Sequence, residues 1–289
     1  MRNFNENTIT DAVLDRIKNT PDPRLKQIFT SLVRHLHDFV RDVRVTDAEW
    51  AAAIDFLTRT GQKCDGNRQE FVLLSDTLGV SMLVDAINHG TSGSTETTVL
   101  GPFYVPNPPE YPLGADIHGG MKGDPLYVTG RVTSLDGKPL DNAIVDVWHS
   151  DDDGYYDVQQ IEKVGGLSGR ARFRTDQNGD FNFWTIKPAA YPIPYDGPVG
   201  DMLTVQARHP WRPAHVHFMI EAPGYEKIAT HVFVNGDQYL DSDAVFGVKD
   251  TLIADFIHHR PGTAPDGKTM DKDYHTLNFD FALAPARKG

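Results

Sequence analysis

The sequence predicts a mixed α and β protein in which an N-terminal helical region precedes a C-terminal β-sandwich. Apolar side chains recur every three or four residues over residues 23–43, which places them on one helix face. From residue 126 onward, short β-branched and aromatic runs alternate with turn signals, as expected of a sandwich or barrel. The composition changes after residue 90. We therefore predict a helical domain over residues 1–100 and a β-sandwich domain over residues 101–289.

Helical segments are predicted in the first ninety or so residues. Pro23 suits the first position of a helix, where its missing N–H leaves no bond unmade. Thr46 and Glu49 form a capping-box pattern that opens a second helix, and Gly61 is expected to end it. A third helical segment is predicted over residues 68–89. Residues 92–124 hold many prolines and glycines and cannot form one regular element.

The β region is predicted as a series of short, closely spaced strands. Residues 176–180, with the sequence Asp-Gln-Asn-Gly-Asp, give a strong hairpin signal between two of these strands. The predicted strands span residues 126–134, 143–148, 170–175, 181–186, 203–208, 215–221 and 228–234. There is no evident internal repeat and no alternation of strands with helices.

Charge and cysteine content exclude several classes of function. The chain has 28 Lys+Arg against 40 Asp+Glu, and its net charge of -12 repels nucleic acids and anionic membranes. A single cysteine, Cys64, forbids an intramolecular disulfide or an all-thiolate metal site. No apolar run is long enough to span a bilayer or to form a secretion signal. We expect a soluble cytoplasmic protein whose metal ligands, if any, are nitrogen and oxygen.

The segment over residues 212–217 carries a His-x-His pair on a predicted strand. Alternation along a strand places His215 and His217 on one face and Val216 on the other. Imidazoles about 7 Å apart at Cα can converge on one metal ion. For an isolated His-x-His pair, two half-exposed histidines on a solvated sheet face are the favoured explanation, and a third nitrogen or oxygen donor is needed to overturn it. No HExxH or GxSxG motif points to an ordinary metallohydrolase or serine hydrolase.

Two tyrosines occur in turn or loop contexts that strands precede. Tyr156 ends the turn over residues 151–156, and Tyr191 lies in the proline-rich loop over residues 188–194. Each can simply pack over a turn. Together with the histidine pair they offer another interpretation, because phenolate is a hard anionic donor that suits Fe(III) better than Zn(II).

With these four residues the sequence resembles the intradiol ring-cleaving dioxygenases over nearly its whole length. The segments that carry the resemblance are residues 100–104 (Leu-Gly-Pro-Phe-Tyr), residues 145–149 (Val-Asp-Val-Trp-His) with residues 154–156, residues 186–191 and residues 212–217. The resemblance implies one Fe(III) per chain, held by Tyr156, Tyr191, His215 and His217. It makes residues 101–289 the catalytic, iron-binding domain.

The family chemistry implies a substrate with adjacent hydroxyls that loses both protons and chelates the ferric ion. Tyr191 corresponds to the tyrosinate that leaves the metal and takes up a proton, whereas Tyr156 stays bound. Both atoms of O2 enter the ring, and the anhydride formed hydrolyses to a cis,cis-muconate. Arg212 resembles the arginine that stabilises charge on the activated ring. His231 occupies a strand position where catechol-type members commonly have glutamine, and a pocket hydrogen bond is its expected role.

Several segments look more like the hydroxyquinol 1,2-dioxygenase branch than the catechol or chlorocatechol 1,2-dioxygenase branches, which remain the alternative. These segments span residues 98–103, 228–234 and 237–249. Asp85 can accept a hydrogen bond from the extra hydroxyl of a triol, or it can face solvent on its helix. By resemblance the pocket wall comprises Met82, Asp85, Val99, Leu100, Gly101, Pro102, Phe103, Ile193 and Pro194.

The resemblance also gives the helical region a role. In the family this region forms a homodimer interface with a tunnel that holds a phospholipid, and we expect both here. The apolar helix faces fit packing on the chain's own β region equally well. A hypothesis from another class is a non-enzymatic β-sandwich binding module with an appended helical dimerisation region. Such a module would be colourless, whereas a ferric tyrosinate protein absorbs visible light.

Overall fold

The computed structural model describes residues 2–66 and 68–286. The chain forms two compact units, Met1–Arg59 and Thr60–Gly289. The division into domains after residue 100 stays a prediction. The order of helices followed by strands, with a sandwich in the second unit, confirms the predicted fold class.

The helices that open the chain are α1 (Ile9–Ile17), α2 (Pro23–Val43) and α3 (Asp47–Lys63). The side chain of Asp22 caps α2 by accepting hydrogen bonds from the backbone N–H groups of Arg24 and Leu25 at 2.7 and 3.0 Å. The predicted capping box opens α3, since Thr46 N donates to Glu49 Oε2 at 2.8 Å and Glu49 N donates to Thr46 Oγ1 at 3.3 Å. The helix α1 was not predicted.

Two predicted helix boundaries are wrong. Gly61 does not end α3, which continues to Lys63, because a glycine inside a helix costs only about 1 kcal/mol. Residues 68–89 form two helices, α4 (Glu70–Thr77) and α5 (Val80–Asn88). Gly79 separates them with a φ of 73°, a left-handed conformation that side-chain-bearing residues rarely adopt. The apolar spacing continues across this break and conceals it.

Two five-stranded sheets form the body of the second unit. The strands are β1 (Pro125–Ser134), β2 (Ile144–His149), β3 (Arg170–Arg174), β4 (Asp180–Ile186), β5 (Tyr191–Pro192), β6 (Trp211–Arg212), β7 (His215–Glu221), β8 (Ile228–Val234), β9 (Ile253–Ala254), β10 (Ile257–His259), β11 (Gly262–Thr263), β12 (Thr269–Met270), β13 (Tyr274–Asn278) and β14 (Phe281–Leu283). In one sheet the strand order is β10-β13-β1-β14, and β4 also pairs with β1. In the other sheet the order is β3-β2-β7-β8-β9. The short helices α6 (Ile161–Val164) and α7 (Pro198–Val205) lie between strands in the sequence.

The hydrophobic core lies between these two sheets. Both sheets contribute fully buried side chains to it, among them Val128 and Phe183 from one sheet and Val147 and Phe218 from the other. The rings of Phe173 and Phe183 stack at 5.0 Å across the interface between the sheets. Burial of one face of each sheet is the arrangement that defines a sandwich.

The hairpin predicted at residues 176–180 is wrong, although the turn itself forms. Gly179 N donates to the carbonyl of Asp176 at 2.9 Å. The strands on either side pair with different partners, β3 with β2 and β4 with β1. The chain therefore crosses here from one sheet to the other. Local turn chemistry specifies a reversal of the chain but does not specify which strands pair.

The strand predicted over residues 203–208 is also wrong, because this segment ends the helix α7. Val199 and Leu203, four residues apart, are buried, whereas Val205 is 88% exposed. That spacing follows the helical period rather than the period of two of a strand. The other predicted strands form, and the strands from β9 to β14 were not predicted. Among residues 2–66 and 68–286, no helix combines the length and apolar character that a bilayer crossing requires.

Candidate metal centre

The central strand β7 presents His215 and His217 on the sheet face that points away from the core. The intervening Val216, with Phe218 and Ile220, belongs to the core cluster, as the alternation along the strand predicts. Both imidazoles are buried. His215 Nδ1 lies 2.7 Å from the carbonyl oxygen of Pro213. Because a carbonyl only accepts, Nδ1 carries the proton and Nε2 keeps a free lone pair.

A loop and the short strand β5 bring Tyr156 and Tyr191 onto the same face. Tyr191 lies on β5, which pairs with β6 so that Tyr191 faces Arg212 in the register. Gly154 lets the loop that carries Tyr156 approach closely, since a Cβ at this glycine would lie 2.6 Å from Tyr191 Cβ. Its φ of 84° also favours glycine. Both phenol side chains are buried.

The four predicted donor atoms converge on one point. Tyr156 Oη lies 2.7 Å from His217 Nε2, 3.4 Å from His215 Nε2 and 3.2 Å from Tyr191 Oη. The two imidazole Nε2 atoms are 3.1 Å apart. Donors bound about 2.1 Å from a common ion, at right to tetrahedral angles, lie about 3.0–3.4 Å from one another. Three of these four distances lie in that range and the 2.7 Å distance is slightly shorter, so the donor set suits a single metal ion among these four side chains.

Burial also determines the charge state of this donor set. It lowers the pKa values of His215 and His217 well below the ordinary value, so both imidazoles are neutral and can act as ligands. Burial, and then the neighbouring Tyr191, raise the pKa of Tyr156 well above its ordinary value. Without a cation the Tyr156 phenol stays protonated. A multivalent cation would supply the positive charge that a buried phenolate requires.

His231 adds a third imidazole to the site. It lies opposite His217 in the register of β7 and β8, with ring centroids 4.1 Å apart. Ligand atoms of His215, His217 and His231 all lie within 4.8 Å of one another. His231 Nδ1 is hydrogen-bonded to the Thr98 hydroxyl, while its buried Nε2 has no partner among the described residues. Burial lowers the pKa of His231 well below its ordinary value, so this ring too is neutral.

Arg212 is held beside the donor set by a buried carboxylate. Its Nε donates to Asp243 Oδ1 at 3.0 Å and its Nη2 donates to Oδ2 at 3.3 Å. Burial opposes the charged guanidinium, but Asp243 and the phenol of Tyr191 more than offset this, so the pKa of Arg212 is raised above its ordinary value. A fixed cation therefore faces the place where the phenols converge.

The predicted pocket residues belong to several parts of the structure around this centre. Phe103 packs with Tyr156 and Tyr191, whereas Val99 packs in a separate cluster with Ile193. Gly101, with a φ of 79°, lies against His217, and a Cβ there would be 3.1 Å from His217 Cε1. Ile193 is buried, Pro194 is half-buried, and Leu100 and Pro102 are exposed.

Met82 and Asp85 lie on the buried side of α5. The Asp85 carboxylate does not face solvent, because Lys249 Nζ lies 3.5 Å from one oxygen and His89 Nδ1 lies 3.1 Å from the other. Lys249 also donates to the carbonyl oxygen of Thr97 at 2.7 Å. This lysine thereby connects the Asp85 carboxylate to the segment that leads into the pocket wall. The charge around Asp85 suits recognition of a polar substituent.

Sequence reasoning missed several residues that support the site. Thr98 and Asp243 bind the side chains of His231 and Arg212, and Trp148 stacks on the His217 ring at 4.6 Å. Trp148 lies inside a segment that carries the family resemblance, and Thr98 and Asp243 lie inside segments that resemble the hydroxyquinol branch. Their contacts were not predictable, because each joins strands or loops that are distant in sequence.

Known proteins that match this chain in sequence or structure are dioxygenases. Residues 99–285 match the family model described as Dioxygenase, and residues 22–95 match the one described as Catechol dioxygenase N terminus. The chain is 53% identical to the 6-chlorohydroxyquinol 1,2-dioxygenase of Cupriavidus pinatubonensis, over 99% of each chain. It is 50% identical to the hydroxyquinol 1,2-dioxygenase of Corynebacterium glutamicum, over 97% of this chain and 94% of that one. The solved hydroxyquinol 1,2-dioxygenase of Pseudomonas putida DLL-E4 superposes with a TM-score of 0.91 at 49% identity, over 97% of this chain and 99% of that one.

Proposed function

The chain belongs to the intradiol ring-cleaving dioxygenase family, and from this premise we propose that it is a hydroxyquinol 1,2-dioxygenase. It cleaves benzene-1,2,4-triol between the two adjacent hydroxylated carbons and inserts both atoms of O2. The product, 3-hydroxy-cis,cis-muconate, tautomerises to maleylacetate, and no reductant is consumed. The observation that carries this proposal is the convergence of two phenol oxygens and two imidazole nitrogens at spacings of 2.7–3.4 Å. Family membership argues against the alternative of a non-enzymatic binding module.

Intradiol dioxygenases depend on iron in general, and we propose one Fe(III) per chain with Tyr156, Tyr191, His215 and His217 as ligands. When bound, the ferric ion acts as a Lewis acid that favours ionised substrate hydroxyls and accepts charge from the ring. Two phenolates and two neutral imidazoles place two negative charges next to the ion, which suits a trivalent cation.

The chain's own residues handle protons and charge during the proposed reaction. Tyr191 Oη takes up a proton as the substrate hydroxyl ionises, while Tyr156 stays in place as a ligand. Arg212 remains positively charged throughout, because Asp243 holds it in its cationic form. Its guanidinium stabilises negative charge on the activated ring without transferring a proton. His231 is assigned a pocket hydrogen bond through its Nε2, which has no partner among the described residues, and the Thr98 hydroxyl sets the orientation of its ring.

Asp85 is proposed to recognise the third hydroxyl of the substrate. Its carboxylate, balanced by the Lys249 cation, can accept a hydrogen bond that plain catechol cannot offer. Replacement of Asp85 by alanine should therefore lower kcat/KM for hydroxyquinol more than for catechol, by about tenfold or more. Equal losses for the two substrates would contradict this role. The remaining wall of the pocket is proposed to comprise Met82, Val99, Leu100, Gly101, Pro102, Phe103, Ile193 and Pro194.

Product analysis with hydroxyquinol tests the function most directly. We expect purified protein to consume equal amounts of hydroxyquinol and O2 and to release maleylacetate. A clear preference for catechol would assign the chain to the catechol or chlorocatechol branch instead. The protein should contain one iron per chain and show a broad visible charge-transfer band that Tyr156→Phe and His217→Ala abolish. Full activity in protein free of iron would refute the metal assignment.

We further propose that the helical region, residues 1–100, mediates a homodimer and that residues 101–289 form the catalytic domain. The apolar stripe of α2 supports this, since its members are 43–58% exposed: Leu25, Ile28, Phe29, Leu32, Leu36, Phe39, Val40 and Val43. A phospholipid bound between the two copies would cover part of this apolar surface. Light scattering should give the mass of a dimer, and organic extraction should release the lipid. A monomer at micromolar concentration would refute the dimer.

A further inference from the structure

A buried ion pair involves the residue that follows the proposed ligand Tyr156 in the sequence. Asp157 follows this tyrosine in the sequence, and its carboxylate pairs with Arg170 on β3. Arg170 Nε donates to Asp157 Oδ2 at 2.7 Å, and Nη2 donates to Oδ1. The two side chains are only 2% and 1% exposed. Burial of charge is costly and does not by itself stabilise a fold, so a specific geometric role is the simplest explanation.

The same guanidinium also binds Phe103, whose ring packs against the ring of Tyr156. Arg170 Nη1 donates to the backbone carbonyl of Phe103 at 2.9 Å. The Phe103 ring stacks on the Tyr156 ring with centroids 4.5 Å apart and an interplanar angle of 27°. One side chain thus connects the residue after Tyr156 to the residue that covers the face of its ring.

The Asp157 carboxylate is itself fixed by backbone donors. Its Oδ2 accepts from Ser168 N at 3.1 Å and its Oδ1 accepts from Val158 N at 2.9 Å. The carboxylate therefore anchors both the turn that follows Tyr156 and the loop that precedes β3. A rigid support of this kind is needed because a metal ligand must be held within about 0.5 Å and 10–20° of its productive geometry.

We propose that Arg170 is a positioning residue that sets the orientation of the Tyr156 phenol and of the Phe103 wall beside it. This inference rests on the proposed function, in which Tyr156 remains an iron ligand throughout turnover. A planar guanidinium can bind two carboxylate oxygens and a carbonyl at once, whereas a lysine ammonium is a point charge on a flexible stem. A substitution that keeps only the positive charge of Arg170 should therefore not keep the orientation of the Tyr156 phenol.

Arg170→Lys tests the inference, with Arg174→Lys on the same strand as the matched control. Arg174 pairs with Glu110, and both side chains are about half exposed, at 42% and 52%. We expect Arg170→Lys to shift the maximum of the visible charge-transfer band and to lower kcat by about 100-fold, with a smaller change in KM. The control should keep the band maximum and kcat of the unsubstituted protein.

A second variant covers the case in which Arg170→Lys does not fold. Asp157→Asn keeps the size of the side chain and should shift the band in the same direction. If the folded variants lose stability or iron while the band maximum and the kcat per bound iron stay unchanged, Arg170 is merely structural and the inference is overturned. If the unsubstituted protein itself lacks the band and the turnover of hydroxyquinol, the proposed function fails instead.

Discussion

Replacement of Asp243 by alanine tests how the Arg212 cation is held beside the metal centre. Asp243 accepts from Arg212 Nε at 3.0 Å and Nη2 at 3.3 Å, and from the backbone N–H groups of Val245 at 3.3 Å and Gly247 at 2.9 Å. The pair is almost fully buried, with 4% and 1% side-chain exposure. Removal of one partner from such a pair leaves an uncompensated charge and costs about 3–5 kcal/mol.

The variant should lose both stability and turnover. We expect the free energy of unfolding in urea to fall by about 3–5 kcal/mol. Without its carboxylate partner Arg212 no longer points at the reacting ring, and loss of such a charge contact lowers kcat by about 100- to 1,000-fold. Iron content should change little, because Asp243 contacts none of the four proposed ligands. Urea denaturation, iron analysis and initial rates with hydroxyquinol measure these three quantities.

The exposed pair between Arg131 and Asp180 provides the control. These side chains are 49% and 38% exposed, so Asp180→Ala should cost less than about 1 kcal/mol and leave kcat unchanged. If Asp243→Ala behaves like this control, the argument that Asp243 holds the catalytic cation is wrong. If it loses iron and turnover in equal proportion, the pair supports the metal site itself rather than Arg212.

Two further predictions concern the packing and the protonation of the site. Gly101→Ala should lower stability by about 1–2 kcal/mol and reduce iron content, because φ is 79° and the new Cβ would lie 3.1 Å from His217 Cε1. Gly165→Ala, at a φ of 78° with no atom within 4 Å, should show the backbone cost alone, and equal iron loss in both variants would contradict the steric argument. Burial lowers the pKa of His149 from 6.5 to about 4, so between these pH values the unfolded chain binds more protons and stability falls as the pH falls. His149→Gln should therefore reduce the loss of unfolding free energy between pH 7 and pH 5 by about 2 kcal/mol, as measured by urea denaturation. If the variant keeps the pH dependence of the unsubstituted protein, His149 is not the group that causes this loss of stability.

The local features of this protein could be predicted from its residues. Helical spacing predicted α2, and the capping box at Thr46 predicted the start of α3, because both depend on residues within one or two turns. Alternation along β7 placed His215 and His217 on one face for the same reason. The family resemblance then selected Tyr156 and Tyr191 from ten tyrosines, which spacing alone did not do.

Features that depend on contacts between distant parts of the chain became visible only in the folded structure. The turn at residues 176–180 crosses between sheets, because pairing partners are selected by burial of both sheet faces rather than by turn residues. Residues 203–205 end a helix because Val199 and Leu203 share one buried face. The pairing of Arg212 with Asp243, across 31 residues, likewise has no local signal. Buried charges require partners, and the fold alone determines which partners lie within reach.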